Sequence, residues 1–140
     1  MGYTIGEVAN ITGISAFTLR FYDKEGLMPF VDRNPSGVRV FKRSDFEWLA
    51  VITCLKKSGM PVKKIKQFVD WSMEGDTTLD RRLEVFEEHK RSVTNKIAEL
   101  NKHMEKIDYK ISYYQTAIEA GTEAIHAQQT CVLSEEFFKA

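Results

Sequence analysis

Apolar residues near the start of the chain fall at Ile5, Val8, Ile11, Ile14 and Leu19. That spacing predicts two short helices sharing one core. Thr4 with Glu7 fits a capping box that would start the first helix. Asn10-Ile-Thr-Gly13 reads as a turn, and Ser15 suits the N-cap of the second helix. Gly26 ends that helix, with Leu27 placed for the apolar contact that accompanies a glycine cap. In "FVDRNPSGVRVFKR" the Asn34-Pro-Ser-Gly37 turn and the alternation of Val38-Arg-Val-Phe41 predict a short hairpin, with Arg33 and Arg39 near its tip. So small a hairpin must lie against the helices to be stable. A third helix is expected from about Asp45 to Ser58, capped by Ser44 with Glu47 and stopped at Gly59. Pro61 opens a fourth, which carries Ile65, Phe68, Val69 and Trp71 and ends at Gly75.

Beyond residue 75 the period changes. Leu79, Leu83, Phe86, Lys90, Val93, Ile97, Leu100, Met104, Ile107, Ile111, Tyr114 and Ile118 are separated by alternating steps of four and three, and eleven of the twelve are apolar. This is a heptad seam. At 1.5 Å per residue the helix would be roughly 60 Å long. A stripe that narrow needs a second helix, and a second copy of the chain is the expected partner. The organisation expected is therefore a helical domain with a hairpin (1–75), a dimerising coiled-coil helix (76–120) and a tail (121–140).

Charge adds a direction to this layout. The 140 residues are neutral overall, but residues 1–70 hold 11 Lys/Arg against 7 Asp/Glu, and residues 71–140 hold 9 against 13. An anionic partner is expected at the front. No apolar run is long enough to cross a bilayer, and "MGYTIGEVAN" has the features of no secretory signal. Two cysteines, Cys54 and Cys131, make no disulfide framework. The expected setting is cytoplasmic, with reduced thiols and no membrane contact.

The chemistry concentrates in "TLRFYDKEGL", residues 18–27. Leu19 and Phe21 suit a helix face packed on a core, whereas Arg20 and the charges that follow suit a face pressed on a charged partner. A helix–turn–helix in a basic domain, with a hairpin beside it and a dimerising rod behind, is a way to grip duplex DNA. Arg20 can pair with a guanine edge or a phosphate, and Thr18 and Tyr22 offer hydroxyls to phosphates. Arg33, Arg39, Lys42 and Arg43 put charge on and beside the hairpin, and Lys56 and Lys57 add charge at the end of the third helix. His89, His103 and His126 fall on the rod or tail, where nothing forms a nucleophile–base pair, so no enzyme is expected.

"TIGEVANITGISAFTLRFYDKEGL", the stretch "RNPSGVRVF" and the long terminal helix resemble the MerR family of bacterial transcription regulators over about residues 3–120. The resemblance implies a mainly α winged helix–turn–helix protein that dimerises through an antiparallel coiled coil. It implies homodimer binding to double-stranded promoter DNA, with an effector that makes the dimer bend and untwist an over-long spacer, reaching RNA polymerase indirectly through the promoter. The matching DNA-contacting positions are Phe17, Thr18, Arg20 and Tyr22 in the second helix, Arg33 and Arg39 in the wing, and Lys56. Two departures bear on the operator: Val38 stands where the family usually has a tyrosine, and Phe17 where many members have a polar residue.

For the signal, the resemblance offers two readings. Metal-sensing members carry paired cysteines near the end of the long helix, whereas this chain has only Cys131 there, with His126 five residues earlier. Two soft ligands make a weak site, and no cofactor or metal is expected. "CLKKSGM" with "MEGDTT" resembles the thiol-based branch, which responds to reactive aldehydes through a cysteine at the position of Cys54. Read from the residues alone, Cys54 is a packed, inert thiol on the flank of the third helix. The rival readings are an effector-independent architectural DNA-binding protein, a metal-responsive regulator and a coiled-coil adaptor.

Overall fold

A computed structural model describes residues 2–127. The chain divides into two compact units, Met1–Val93 and Thr94–Ala140. The fold is mainly α, with one small hairpin.

In the first unit the helix starts follow local chemistry. α1 (Ile5–Thr12) begins at the capping box: the Glu7 amide donates to Thr4 Oγ1 at 3.2 Å and the Thr4 amide to Glu7 Oε1 at 3.1 Å. Asn10–Thr12 stay helical and the reversal is confined to Gly13–Ser15, because Gly13 takes the left-handed conformation (φ 75°) that stops the helix. α2 (Ala16–Lys24) is capped by Ser15, whose Oγ accepts from the Thr18 amide at 3.1 Å. Its far end is a Schellman turn: the Gly26 amide donates to the Asp23 carbonyl and the Leu27 amide to the Tyr22 carbonyl. Leu27 is fully buried there.

β1 (Asp32–Arg33) and β2 (Arg39–Val40) pair antiparallel, Asp32 opposite Val40 and Arg33 opposite Arg39. The hairpin lies against the helices as expected, since Phe41 at its end is buried in the helical core, and it is also tied to the residues before α1 by Phe41–Tyr3 hydrogen bonds of 2.7 and 2.9 Å. α3 (Arg43–Lys57) does not start at a Ser44–Glu47 box. It starts at Lys42, whose amide donates to the buried Asp45 carboxylate at 2.9 Å, so the cap lies two residues earlier. The same carboxylate holds Lys42 Nζ at 3.0 Å. α4 (Val62–Glu74) follows Pro61, and a single 3₁₀ turn (Asp76–Thr78) leads on.

The core joins Val8, Leu19, Tyr22, Leu27, Phe41, Leu49, Ile52, Ile65 and Val69, all at most 2 % exposed. Ile11 is not part of it and faces solvent, because at about 100° per residue it falls off the Ile5–Val8–Ala9 face that packs on the core. α5 (Leu79–Ala120) is a 42-residue helix. Its first turns belong to the first unit, where Val85 packs on the core and Phe86 meets Phe68 edge to face at 5.0 Å. The compact unit thus runs past residue 75.

In the second unit the seam residues are uncovered: Ile97, Leu100, Met104, Ile107, Ile111, Tyr114 and Ile118 are all exposed. Gly121 (φ 75°) closes the helix with another Schellman turn. The start of the expected tail is built in. A 3₁₀ turn (Glu123–His126) buries His126 against Tyr113, ring centroids 4.1 Å apart, with Nε2 at 2.7 Å from Thr116 Oγ1. Cys131 and the rest of the tail lie outside the described residues.

Candidate nucleic-acid interface

α2 presents two faces. Leu19 and Tyr22 turn inward, and Phe17, Arg20 and Lys24 turn outward at i, i+3 and i+7. Phe17 is 81 % exposed, an unusual position for a phenylalanine unless something covers it. Arg20 is exposed, and among the described residues no carboxylate neutralises it. The helix therefore offers a free guanidinium one turn from its own N-terminus, where the backbone dipole also favours an anion.

Beside it runs an open groove of about 770 Å³ between α2 and α3. Ser15, Thr18 and Tyr22 form one wall, and Thr53, Lys56 and Lys57 the other. Thr18 Oγ1 takes a hydrogen bond from Ser15 Oγ at 2.9 Å, which leaves its own proton to donate. Lys56 Nζ lies 4.5 Å over the Phe21 ring and 5.5 Å from that of Tyr22, so the cation is held at the groove by aromatic faces.

Three residues expected to face a partner are held by the fold. Tyr22 is only 2 % exposed: its ring is core, and its hydroxyl meets Thr53 Oγ1 at 3.3 Å in the groove wall. Arg39 is bound to Asp23 and donates to the Val31 carbonyl at 2.9 Å. Lys42 donates to the Phe30 carbonyl at 2.7 Å in addition to its bond with Asp45. Arg33 keeps a largely exposed head, steadied by the Gly37 carbonyl at 2.8 Å and by Asp23 at 3.7 Å. Asp23 escaped the reading of the sequence as a structural hub. A carboxylate one turn beyond Arg20 looks like a solvated charge until the wing is placed beside it.

Cys54 is exposed, contrary to the packed thiol read from the residues alone. Its backbone carbonyl accepts both the amide and the hydroxyl of Ser58, at 3.0 and 2.7 Å. His126, considered above with Cys131, is stacked and hydrogen-bonded as described. Among the described residues no three His, Cys, Asp or Glu side chains converge as a metal site, and no helix is long and apolar enough to cross a membrane.

A family model described as "MerR HTH family regulatory protein" matches residues 3–70. The chain is 44 % identical over 122 residues to an uncharacterized HTH-type transcriptional regulator of Haemophilus influenzae, covering 87 % of this chain and 90 % of that one. Among solved structures it is similar to HiNmlR, described as a MerR family regulator lacking the sensor domain and bound to promoter DNA. That match has a TM-score of 0.79 and 44 % identity, covering 88 % of this chain and 98 % of that one. A MerR family regulator from Bacillus thuringiensis matches with a TM-score of 0.73 and 45 % identity over 80 % and 98 % of the two chains. With that identity over nearly the whole of a relative, and the helix–turn–helix and wing in place, the chain belongs to the MerR family of helix–turn–helix transcriptional regulators, which are not enzymes.

Proposed function

We propose that the protein binds promoter DNA as a homodimer and alters the promoter spacer in response to an effector. The exposed, unneutralised Arg20 on α2 is the observation that carries this reading. α2 enters the major groove, where Arg20 addresses a base edge or phosphate and Phe17 packs on a sugar or thymine methyl. Thr18, Lys56 and the hydroxyl of Tyr22 line the groove beside a phosphate strand, and Arg33 reaches the flanking backbone from the wing. Arg39 acts by holding the wing. The promoter-bound state of the similar regulator HiNmlR supports the assignment.

The uncovered seam of α5 supports a dimer, which sets two copies of α2 on successive major-groove faces about one helical turn apart. Distorting a spacer costs several kcal/mol, roughly 1–6 for smooth bending, so the effector must favour the distorting conformation by a comparable amount. RNA polymerase then responds through the promoter itself.

For the effector we propose a reactive aldehyde at Cys54. Its exposure leaves the sulfur open to attack a carbonyl carbon. The S–C bond forms as the carbonyl π pair moves to oxygen and the thiol's S–H bond gives up its proton to that oxygen, giving a hemithioacetal. Induction by aldehydes that survives Cys54→Ser unchanged would refute the sensing role. DNA binding is tested by footprinting the DNA upstream of the gene with wild type and Arg20→Ala. An architectural protein would cover that DNA diffusely and equally in both.

A further inference from the structure

The end of α3 and the start of α5 meet at a polar contact. Ser58 Oγ lies 2.8 Å from His89 Nε2, across 31 residues of sequence. The same oxygen is 2.7 Å from the Cys54 carbonyl and 3.2 Å from that of Leu55. A hydroxyl has one proton, and the short, helix-typical bond to Cys54 takes it. With Ser58 donating to Cys54, the Nε2–H tautomer of His89 donates to Ser58. The result is a directed line from the Cys54 carbonyl through the Ser58 hydroxyl to the imidazole of α5.

The surroundings give that line a consequence. At its first turn α5 is pinned to the end of α4 by Arg82, which donates to the Gly75 carbonyl at 3.0 Å; beyond that turn the contacts are non-directional or ionic: Phe86 on Phe68, Arg81 at 5.9 Å over Trp71, and Lys64 with Glu88 at 3.2 Å. These tolerate small sliding. Ser58 is the C-cap of α3, just before the Schellman turn at Gly59, where the Met60 amide returns to the Leu55 carbonyl at 2.9 Å. Any tilt of the last turn of α3 therefore carries the Ser58 hydroxyl with it. His89 also lines the cleft of about 310 Å³ between α4 and α5, so its ring has room to follow or to let go.

We infer that Ser58 and His89 are positioning residues that couple the Cys54 turn of α3 to α5, transmitting the effector signal toward the dimerising helix. This rests on the Cys54 reading above. A directional bond that can be made or broken suits two discrete arrangements better than apolar packing does.

The test uses the full-length protein and a reporter driven by the gene's own upstream DNA, with formaldehyde as probe. His89→Leu is expected to lower induction by at least about fivefold, the scale of an ordinary allosteric coupling. His89→Gln, whose amide can donate to Ser58, should restore it. Ser58→Ala breaks the line from the other side and should match His89→Leu, which covers the case of a leucine variant that folds poorly. Operator affinity without formaldehyde and the rate of Cys54 alkylation by iodoacetamide should stay at wild-type values in each variant. Full induction in His89→Leu while Cys54→Ser is silent overturns the coupling alone. Full induction in Cys54→Ser overturns the sensing reading and the coupling with it. Failure of the glutamine to rescue, or a change in operator affinity or alkylation rate, assigns His89 a merely structural role and also overturns the proposal.

Discussion

Asp23 of α2 holds Arg39 of the wing by a direct ion pair and takes Arg33, directly opposite Arg39 in the hairpin, on its other oxygen at 3.7 Å. Two arginines facing each other across antiparallel strands repel. One carboxylate from the neighbouring helix cancels that repulsion and fixes the angle between the wing and α2. α2 and the wing are thereby set as one rigid surface.

Asp23→Ala should therefore cost about 1–3 kcal/mol of stability, the scale of lost hydrogen bonds to a charged group. It also adds a positive charge to the interface. Binding to random DNA should hold or rise while binding to the promoter falls. Urea unfolding and competition binding at fixed salt measure the two effects separately.

Tyr22 separates packing from contact. Tyr22→Phe keeps the buried ring and removes only the 3.3 Å bond to Thr53, so stability should fall by about 1 kcal/mol or less. Tyr22→Ala empties a core position and should cost about 3–5 kcal/mol, as aromatic truncations do. Promoter affinity of Tyr22→Phe should drop less than that of Arg20→Ala, because Arg20 is free and the phenol is engaged. Parallel denaturation and binding curves decide it.

The seam gives a test of assembly. Ile107 is 53 % exposed on the single chain, a side chain that gains from burial only against a second helix. Ile107→Asp should turn a dimer into a monomer by light scattering and abolish footprinting on a two-fold site. The helix–turn–helix unit should keep its near-ultraviolet signature, since its core lies within residues 1–93.

At the end of α5, the Tyr113 hydroxyl donates to Glu123 Oε2 at 2.8 Å, and that bond with the neighbouring negative charge holds the phenol's pKa above its ordinary value. A raised acid favours the protonated form in the fold. The bond's contribution is thus complete below the unfolded phenol's value near about 10 and fades as pH climbs through the folded one. Phenolate absorbance should titrate later in wild type than in Glu123→Gln.

What could be read from the sequence follows the range of the forces involved. Caps and periodicity act within a turn or two, so Thr4, Ser15, Gly26 and the α5 heptads were legible as they stand in the fold. Ser44 reads as a cap because serine is a common one; the buried Asp45 carboxylate, which takes the Lys42 amide, fills the role in the fold. Ile11 keeps helical spacing from Val8 but finds no neighbour, which only the choice of the packed face of α1 reveals. Side-chain pairing is the hardest to see. Arg20, Arg33 and Arg39 are equivalent as letters, yet only the placement of the wing beside Asp23 shows which is bound and which is free. The exposure of Cys54 depends in the same way on how α3 rolls against its neighbours.

The most direct measurement is a footprint of the purified protein on the DNA upstream of its own gene, at about physiological salt, with Arg20→Ala in parallel. A protected inverted repeat between promoter elements, absent or at least about tenfold weaker in Arg20→Ala, is the predicted result, since a bidentate base contact is worth about 1–3 kcal/mol. Diffuse protection that fades with salt equally in both proteins would contradict the claim that this chain reads a promoter through α2.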